Sequence, residues 1–96
     1  QVYHSLGNLY SKNRNRSNDA EKAYKESLRL EEINNNKHGL AQVYHSLGNL
    51  YSKNRNRLKD AEKEYRKSIE IRPSDDQDGF AQVYNSLGDL LSIRKV

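Results

Sequence analysis

Polar side chains that can hydrogen-bond a peptide backbone recur three times along the chain at helical spacing. In each copy two of them lie four residues apart, which is about one turn of an α-helix. A carboxamide offers both a donor and an acceptor, so it can pair with the N–H and C=O groups of an extended chain whatever its sequence. The third copy ends in Asp89, which only accepts when ionised and would favour a donor or a cation. The pairs are His4 and Asn8, His45 and Asn49, and Asn85 and Asp89, and Gln1, Gln42 and Gln82 extend the row.

Six cations form a second candidate set, because two identical runs alternate basic residues with asparagine. Repeated cations on one edge can attract an acidic protein tail or nucleic acid. They are more typical of solvated turns, where Lys and Arg near a helix C-terminus are favoured by the helix dipole. No aromatic residue interleaves these cations to stack on bases, which argues against a nucleic-acid partner. We expect solvated turns, and the set comprises Lys12, Arg14, Arg16, Lys53, Arg55 and Arg57.

The sequence contains no arrangement of residues that predicts catalysis or a metal. There is no cysteine, and therefore neither a disulfide framework nor a thiolate. His4 and His45 are repeat equivalents on helices that are next-nearest neighbours, too far apart to share one ion when adjacent helices lie about 8–10 Å apart. The acidic residues Asp75, Asp76 and Asp78 complement a helix dipole and lack the rest of a calcium loop. We therefore expect no catalytic residue, no metal and no cofactor.

The elements that must position the polar row follow from an internal repeat. The segment QVYHSLGNLYSKNRNR occurs unchanged at Gln1–Arg16 and at Gln42–Arg57, and an edited copy closes the chain at Gln82–Val96. A period in this range is the signature of stacked supersecondary units that cannot bury their apolar faces alone. We divide the chain into repeat 1 (1–41), repeat 2 (42–81) and a half repeat (82–96), all within one domain.

Each copy carries an apolar stripe with the spacing of an α-helix. In the second copy the stripe runs through Val43, Tyr44, Leu47, Leu50 and Tyr51, which form one face at 3.6 residues per turn. Only 33% of the residues are hydrophobic, and such a low content is also found in disordered chains. The phasing of the stripe nevertheless predicts three folded helices, which we term the inner helices.

Two further helices, which we term the outer helices, lie between the inner ones. An arc of small and apolar residues begins at Ala20 and Tyr24 in the first and at Ala61 and Tyr65 in the second, and the opposite face is charged. Helices that follow one another through short turns must pack antiparallel. The sequence therefore predicts five antiparallel helices in the order inner, outer, inner, outer, inner.

The breaks between these helices carry turn and cap residues. The run Asn34–Asn36 ends the first outer helix and caps the next inner one. Pro73 ends the second outer helix, because proline cannot continue it. Ser74 stands three residues before Gln77, which is the spacing of a capping box, so we expect Ser74 to cap the last inner helix.

With its helices placed, the chain resembles the tetratricopeptide repeat family, whose pattern is W-x2-L-G-x2-Y followed by A-x3-F. The resemblance implies an all-α fold, an α-solenoid of antiparallel helix pairs with five helices in a right-handed superhelix. The repeat is longer than the usual 34 residues, which makes it similar to the longer-repeat branch of the kinesin light chains. The matching segments are Tyr3-x2-Leu6-Gly7-x2-Tyr10 with Ala20-x3-Tyr24, Tyr44-x2-Leu47-Gly48-x2-Tyr51 with Ala61-x3-Tyr65, and Tyr84-x2-Leu87-Gly88-x2-Leu91.

The glycines of this pattern lie inside helices, at Gly7, Gly48 and Gly88. Each destabilises its helix by about 1 kcal/mol relative to alanine. We expect a close helix crossing to require the bare Cα, with Ala20 and Ala61 as the small residues on the partner helices.

The resemblance also implies a function, because in this family the inner helices line a concave groove. The asparagine after the L-G pair resembles a peptide clamp of related repeats, and here it is Asn8 and Asn49. The expected function is a non-catalytic scaffold that holds an extended peptide of a protein partner. One subtype instead grips C-terminal carboxylates with Lys and Arg. The groove positions here carry His, Asn, Gln and Asp, so we expect no tight binding of chaperone tails.

The last inner helix has no outer helix after it in the sequence. Its stripe, extended by Leu91, Ile93 and Val96, should therefore be partly bare. We expect self-association there, including exchange of helices between near-identical copies. The main alternative to a peptide scaffold is a designed or structural array whose self-association is its only activity. Anion or RNA binding through the basic turns is the second alternative.

Composition sets the remaining bounds. The net charge of +4 permits acidic partners without demanding them. No apolar run is long enough for a signal peptide or a membrane span, and we expect a cytoplasmic protein. Because the chain begins with Gln1, in mid-repeat and without Met, we also expect it to be part of a longer protein.

Overall fold

The computed structural model describes residues 1–94, so Val96, the last member of the predicted bare stripe, lies outside the described residues. Within this range the chain forms five α-helices and no strand, as the sequence predicts. None of these helices is both long enough and apolar enough to cross a membrane. The helices are α1 (Val2–Ser11), α2 (Ser17–Ile33), α3 (Lys37–Ser52), α4 (Leu58–Ile71) and α5 (Gln77–Arg94).

The helices form hairpins that stack into an open array. No connection between them exceeds five residues, and the two connections 12–16 and 53–57 each contain a single turn of 3₁₀ helix. Helix α1 pairs with α2 and α3 pairs with α4, while α2 packs on α3 and α4 on α5. The inner helices α1, α3 and α5 also contact one another in sequence. The molecule is only 17 Å thick along its shortest axis, which is less than two helix diameters of about 10–12 Å.

Burial confirms that each inner helix uses one side against the outer helix before it. Val43 is fully buried, whereas its equivalent Val2 is 71% exposed on α1. Within residues 1–94 no helix precedes α1, and this is why Val2 and Leu9 are exposed while Val43 and Leu50 are buried. The equivalent residue Val83 of α5 is buried beside α4.

The close approach expected at the glycines is present at two of the three, but the partner residue is a tyrosine. A Cβ atom on Gly7 would lie within 3.0 Å of the Tyr24 ring, and one on Gly48 would lie 2.5 Å from the Tyr65 ring. The expectation that alanines fill this role is therefore wrong. Gly88 has no neighbouring atom within 4 Å, because no outer helix follows α5 in the described residues.

The inner helices are capped by side chains directly in front of them. Asn36 caps α3 as predicted, and its Oδ1 accepts a hydrogen bond from the Gly39 N–H at 3.1 Å. Asp76, rather than the predicted Ser74, holds the start of α5, since its Oδ1 accepts from the Gly79 N–H at 3.0 Å. A carboxylate at this position also compensates the positive end of the helix dipole.

Candidate functional site

The two clamp asparagines are held in place by buried tyrosines. The Tyr24 hydroxyl donates to Asn8 Oδ1 at 2.7 Å, and the Tyr65 hydroxyl donates to Asn49 Oδ1 at 2.6 Å. Both asparagines are exposed, and their Nδ2 groups make no hydrogen bond to residues 1–94. Burial raises the pKa of both tyrosines, so that the hydroxyls remain protonated donors. The carboxamides therefore present donors alone, and not the donor and acceptor together that the sequence suggested.

Sequence reasoning missed the tyrosines as site residues, although a signal for them existed. Tyrosine stands where the family pattern has phenylalanine, at Tyr24 and Tyr65. A buried hydroxyl needs a hydrogen-bond partner. The partner lies sixteen residues earlier in both repeats, directly after the glycine that admits the ring.

The structure brings Asn8 and Asn49 to one depression between α1 and α3. It has a volume of about 430 Å³ and combines the two amides with small hydroxyl side chains. Lys53 Nζ crosses its rim to donate to the Ser11 carbonyl oxygen at 3.0 Å. The lining residues are Asn8, Ser11, Tyr24, Ser46, Asn49, Leu50, Ser52 and Lys53.

The predicted groove histidines instead tie one inner helix to the next. His4 Nε2 lies 2.8 Å from Ser46 Oγ, and His45 Nε2 lies 2.9 Å from Ser86 Oγ. Each imidazole is half-buried and meets the ring of the outer-helix tyrosine edge-on, with centroids 5.8 and 5.7 Å apart. A histidine held this way has less freedom to meet a ligand, and its main contact is structural.

Burial lowers the pKa of both histidines, although their charged neighbours differ. At His4 the N-terminal ammonium lowers the pKa further and Glu31 opposes this. At His45 the second cause is the positive charge of Arg72, which also lowers the pKa. Glu31 and Arg72 are repeat equivalents, and both are buried. Two imidazoles with the same local sequence therefore face opposite charges.

The other predicted groove residues are on the surface but do not join the asparagine depression. Gln42, Gln82, Asn85 and Asp89 are exposed. The charge of Asp89 contributes to the raised pKa of Tyr65, which places this carboxylate near the α4 side of α5. Gln1 has a structural role, since its Oε1 accepts from two backbone N–H groups at the start of α1.

Two members of the predicted basic edge are engaged within the fold. The Arg57 guanidinium lies 4.0 Å above the Tyr51 ring and pairs with Asp60 at 2.9 Å. It also pairs with Glu21, which accepts from the Tyr51 hydroxyl at 2.5 Å. Arg16 repeats the ring contact in the first turn, 4.4 Å from the equivalent tyrosine centroid. These arginines cover the aromatic faces that a nucleotide base would need for stacking.

The remaining cations of the edge are exposed beside two depressions. Lys12, Arg14 and Arg55 form no ion pair with residues 1–94. Arg55 lies between a depression of about 370 Å³ that also contacts Arg14 and one of about 590 Å³ that reaches α5. Lys53 is partly satisfied by its bond to the Ser11 carbonyl. The edge keeps a positive character through fewer groups than the sequence suggested.

Among residues 1–94, no group of three or more His, Asp or Glu side chains is close enough together to hold a metal ion. This agrees with the spacing of His4 and His45, each of which bonds to a serine of the next inner helix.

The helix pairs and their residue pattern agree with comparisons to known proteins. The family model described as tetratricopeptide repeat matches residues 1–74. No curated protein and no solved structure matches the chain significantly. The matched segment holds both complete helix pairs and their connection to Pro73. Proteins of this family are generally scaffolds for protein–protein interaction and not enzymes. The chain belongs to the tetratricopeptide repeat family.

Proposed function

We propose that the chain is a non-catalytic scaffold that binds an extended peptide of a protein partner along its inner helices. The observation that supports this most directly is the repeated hydrogen bond from a buried tyrosine to an exposed asparagine. A surface asparagine has no structural need for such an anchor, whereas a binding group gains from being held in one rotamer before the ligand arrives.

The free groups of the site define what the peptide must offer. Asn8 and Asn49 use their oxygens inside the fold and leave their Nδ2 donors outward, and Lys53 adds a cation at the rim. Such donors pair with backbone carbonyl oxygens or with carboxylate side chains. The preferred ligand is therefore a peptide that turns acceptors toward α1 and α3.

The register of the ligand follows from the repeat. Helices α1 and α3 contact each other, and packed helices lie about 8–10 Å apart. An extended chain rises about 3.3 Å per residue. Carbonyls about three residues apart would therefore meet successive asparagines, and we propose that the peptide is read at this interval.

The test is capture of displayed random dodecapeptides by the full chain and by an Asn8→Ala/Asn49→Ala variant. We expect the double variant to lose capture while its helical circular dichroism spectrum is unchanged. The matched control is Asn15→Ala/Asn56→Ala, which removes two exposed, repeat-equivalent asparagines from the turns. This control should capture the same peptides as the unmodified chain.

Salt distinguishes the groove from the basic edge. Amide hydrogen bonds should hold between 0.1 and 0.5 M salt, whereas binding to exposed cations should weaken steeply. Equal capture by all three proteins, or capture that disappears with salt, would contradict a groove site. Absence of any capture would leave an array whose self-association is its only activity as the better description.

Self-association at α5 is a second candidate activity, favoured by one observation. Tyr84 is 55% exposed and Ile93 is 49% exposed on the side of α5 that no described helix covers. Light scattering across micromolar concentrations would detect it as a rising mass. A constant monomer mass would exclude this candidate and leave the groove proposal untouched.

A further inference from the structure

Helix α5 repeats the face with which α1 and α3 each hold an outer helix. On α1 and α3 this face contains a glycine against which a tyrosine ring lies, at Gly7 and Gly48. The next residue, Asn8 or Asn49, accepts the hydroxyl of that same tyrosine. On α5 the corresponding glycine, Gly88, has no atom within 4 Å. The chain thus shows the same site twice occupied and once empty.

We propose that α5 carries a tyrosine socket that binds an amphipathic helix supplied by a separate polypeptide. The socket is the surface that matches the occupied faces of α1 and α3. It is formed by Tyr84, Leu87, Gly88, Asp89 and Leu91. The two occupied copies define the ligand, because each holds a helix that lays a tyrosine ring across the glycine.

The polar end of the socket fits a tyrosine hydroxyl better than the occupied copies do. Asp89 stands where Asn8 and Asn49 accept this hydroxyl. An ionised carboxylate is a stronger acceptor than a carboxamide. Asp89 is exposed and forms no hydrogen bond or ion pair with the part of the chain that the structure describes. The acceptor is therefore free for the incoming ring.

The ligand pattern can be read from α2 and α4. Both helices place an alanine four residues before the tyrosine and a serine three residues after it. Ala20 and Ala61 are fully buried, as are Ser27 and Ser68. A ligand helix therefore needs the pattern Ala-x3-Tyr-x2-Ser, since larger residues at the small positions would hold it away from α5.

Counting the helices argues that a second copy is not the occupant. Residues 1–94 contain three inner helices with this face and two outer helices that fill it. If two copies exchange outer helices, they hold six faces and four outer helices between them, so the number of empty faces does not change. The helix must come from a different chain, whose chemistry is the pattern above.

The experiment uses the full chain and a fluorescein-labelled peptide with the sequence of residues 57–72. The peptide is cross-linked into a helix through the positions of Lys59 and Lys63, which are exposed and lie away from Tyr65. Fluorescence anisotropy should show saturable binding at one site per chain. Replacing the peptide tyrosine by alanine should weaken binding by more than tenfold, because both the ring contact and the hydroxyl bond are lost.

Variants of the chain locate the site. Gly88→Ala should abolish binding, because its methyl group would occupy the place of the ring. Asp89→Ala should weaken binding about tenfold, and Asp89→Asn should retain it, since Asn49 accepts the same hydroxyl. The Asn8→Ala/Asn49→Ala variant should bind the helix normally, which separates this site from the peptide groove.

Three outcomes would overturn the proposal. The first is no saturable binding by the cross-linked helix up to millimolar concentration, and the second is equal binding by Gly88→Ala. The third is a doubled mass in light scattering that Gly88→Ala removes and the helix does not. That result would assign the face to a second copy.

Discussion

Two chemically identical substitutions, Gly48→Ala and Gly88→Ala, should change stability in opposite directions. Both glycines lie in the middle of an inner helix within the same L-G sequence. They differ in what faces the missing side chain. The Tyr65 ring lies 2.5 Å from the position of a Cβ on Gly48, and nothing lies within 4 Å of one on Gly88.

The magnitudes follow from this difference. Alanine at Gly88 brings only the gain in helix propensity, about 0.8–1.0 kcal/mol. Alanine at Gly48 brings the same gain but must displace a ring that is only 2% exposed, and overpacking of this kind costs about 1–3 kcal/mol. Moving Tyr65 also stretches its 2.6 Å bond to Asn49, which contributes about 1 kcal/mol. The free energies of unfolding of the two variants should differ by about 2–4 kcal/mol.

Thermal melting followed by circular dichroism at the helical band is a sufficient assay. For a chain of this size 1 kcal/mol shifts the midpoint by about 4–8 °C. We expect Gly88→Ala to melt several degrees above the unmodified chain and Gly48→Ala to melt below it, with Gly7→Ala as a second buried case. Equal stabilisation by both substitutions would show that the ring does not rest on the helix, and the tyrosine socket on α5 would lose its basis.

Three further predictions concern hydrogen bonds and pH. Tyr65→Phe removes the hydroxyl that orients Asn49, so the free energy of unfolding should fall by about 0.5–1.5 kcal/mol in urea denaturation. Because burial lowers the pKa of His45 from its ordinary 6.5, the unfolded chain binds a proton first, and stability should decline as pH falls below 6.5; His45→Gln should flatten this decline between pH 7.5 and 5.5. Hydrogen bonds from Arg72 and from a backbone N–H lower the pKa of Asp76 from 3.8, so its contribution is present above that pH and lost below it. Asp76→Asn should therefore be less stable than the unmodified chain at pH 7 and equally stable near pH 2, measured by urea denaturation at both pH values.

The architecture was predictable because the apolar stripe and the repeat express the same physical need. Residues such as Val43 and Leu50 must be buried on one side of a helix, and a helix with one apolar side must pack against another. The start of α5 was less predictable. Ser74 fits a capping-box spacing, but Asp76 is closer to the helix and also pairs with Arg72. This contact joins parts of the chain that sequence spacing cannot relate.

The candidate site was predictable in its residues and not in their orientation. Helical spacing places His4 and Asn8 on one side of α1, one turn apart. It does not give the distance to the next inner helix, where Ser46 lies 2.8 Å from His4. Nor does it show that Tyr24 takes the oxygen of Asn8. The asparagine therefore remained a candidate ligand group, while the histidine proved to link two helices.

Identical inner helices do not produce identical sites, because the outer helices end differently. Glu31 and Arg72 occupy the same repeat position, and each is matched to the cap residue of the following inner helix. Glu31 accepts from the Asn36 carboxamide at 3.1 Å, whereas Arg72 donates to the Asp76 carboxylate at 2.7 Å. A carboxylate cap can hold a buried guanidinium without leaving an isolated charge, and a carboxamide cap can donate to a buried acid. The choice of cap thus sets the sign of a buried charge behind each groove histidine, and a row of repeated residues acquires a direction along the array.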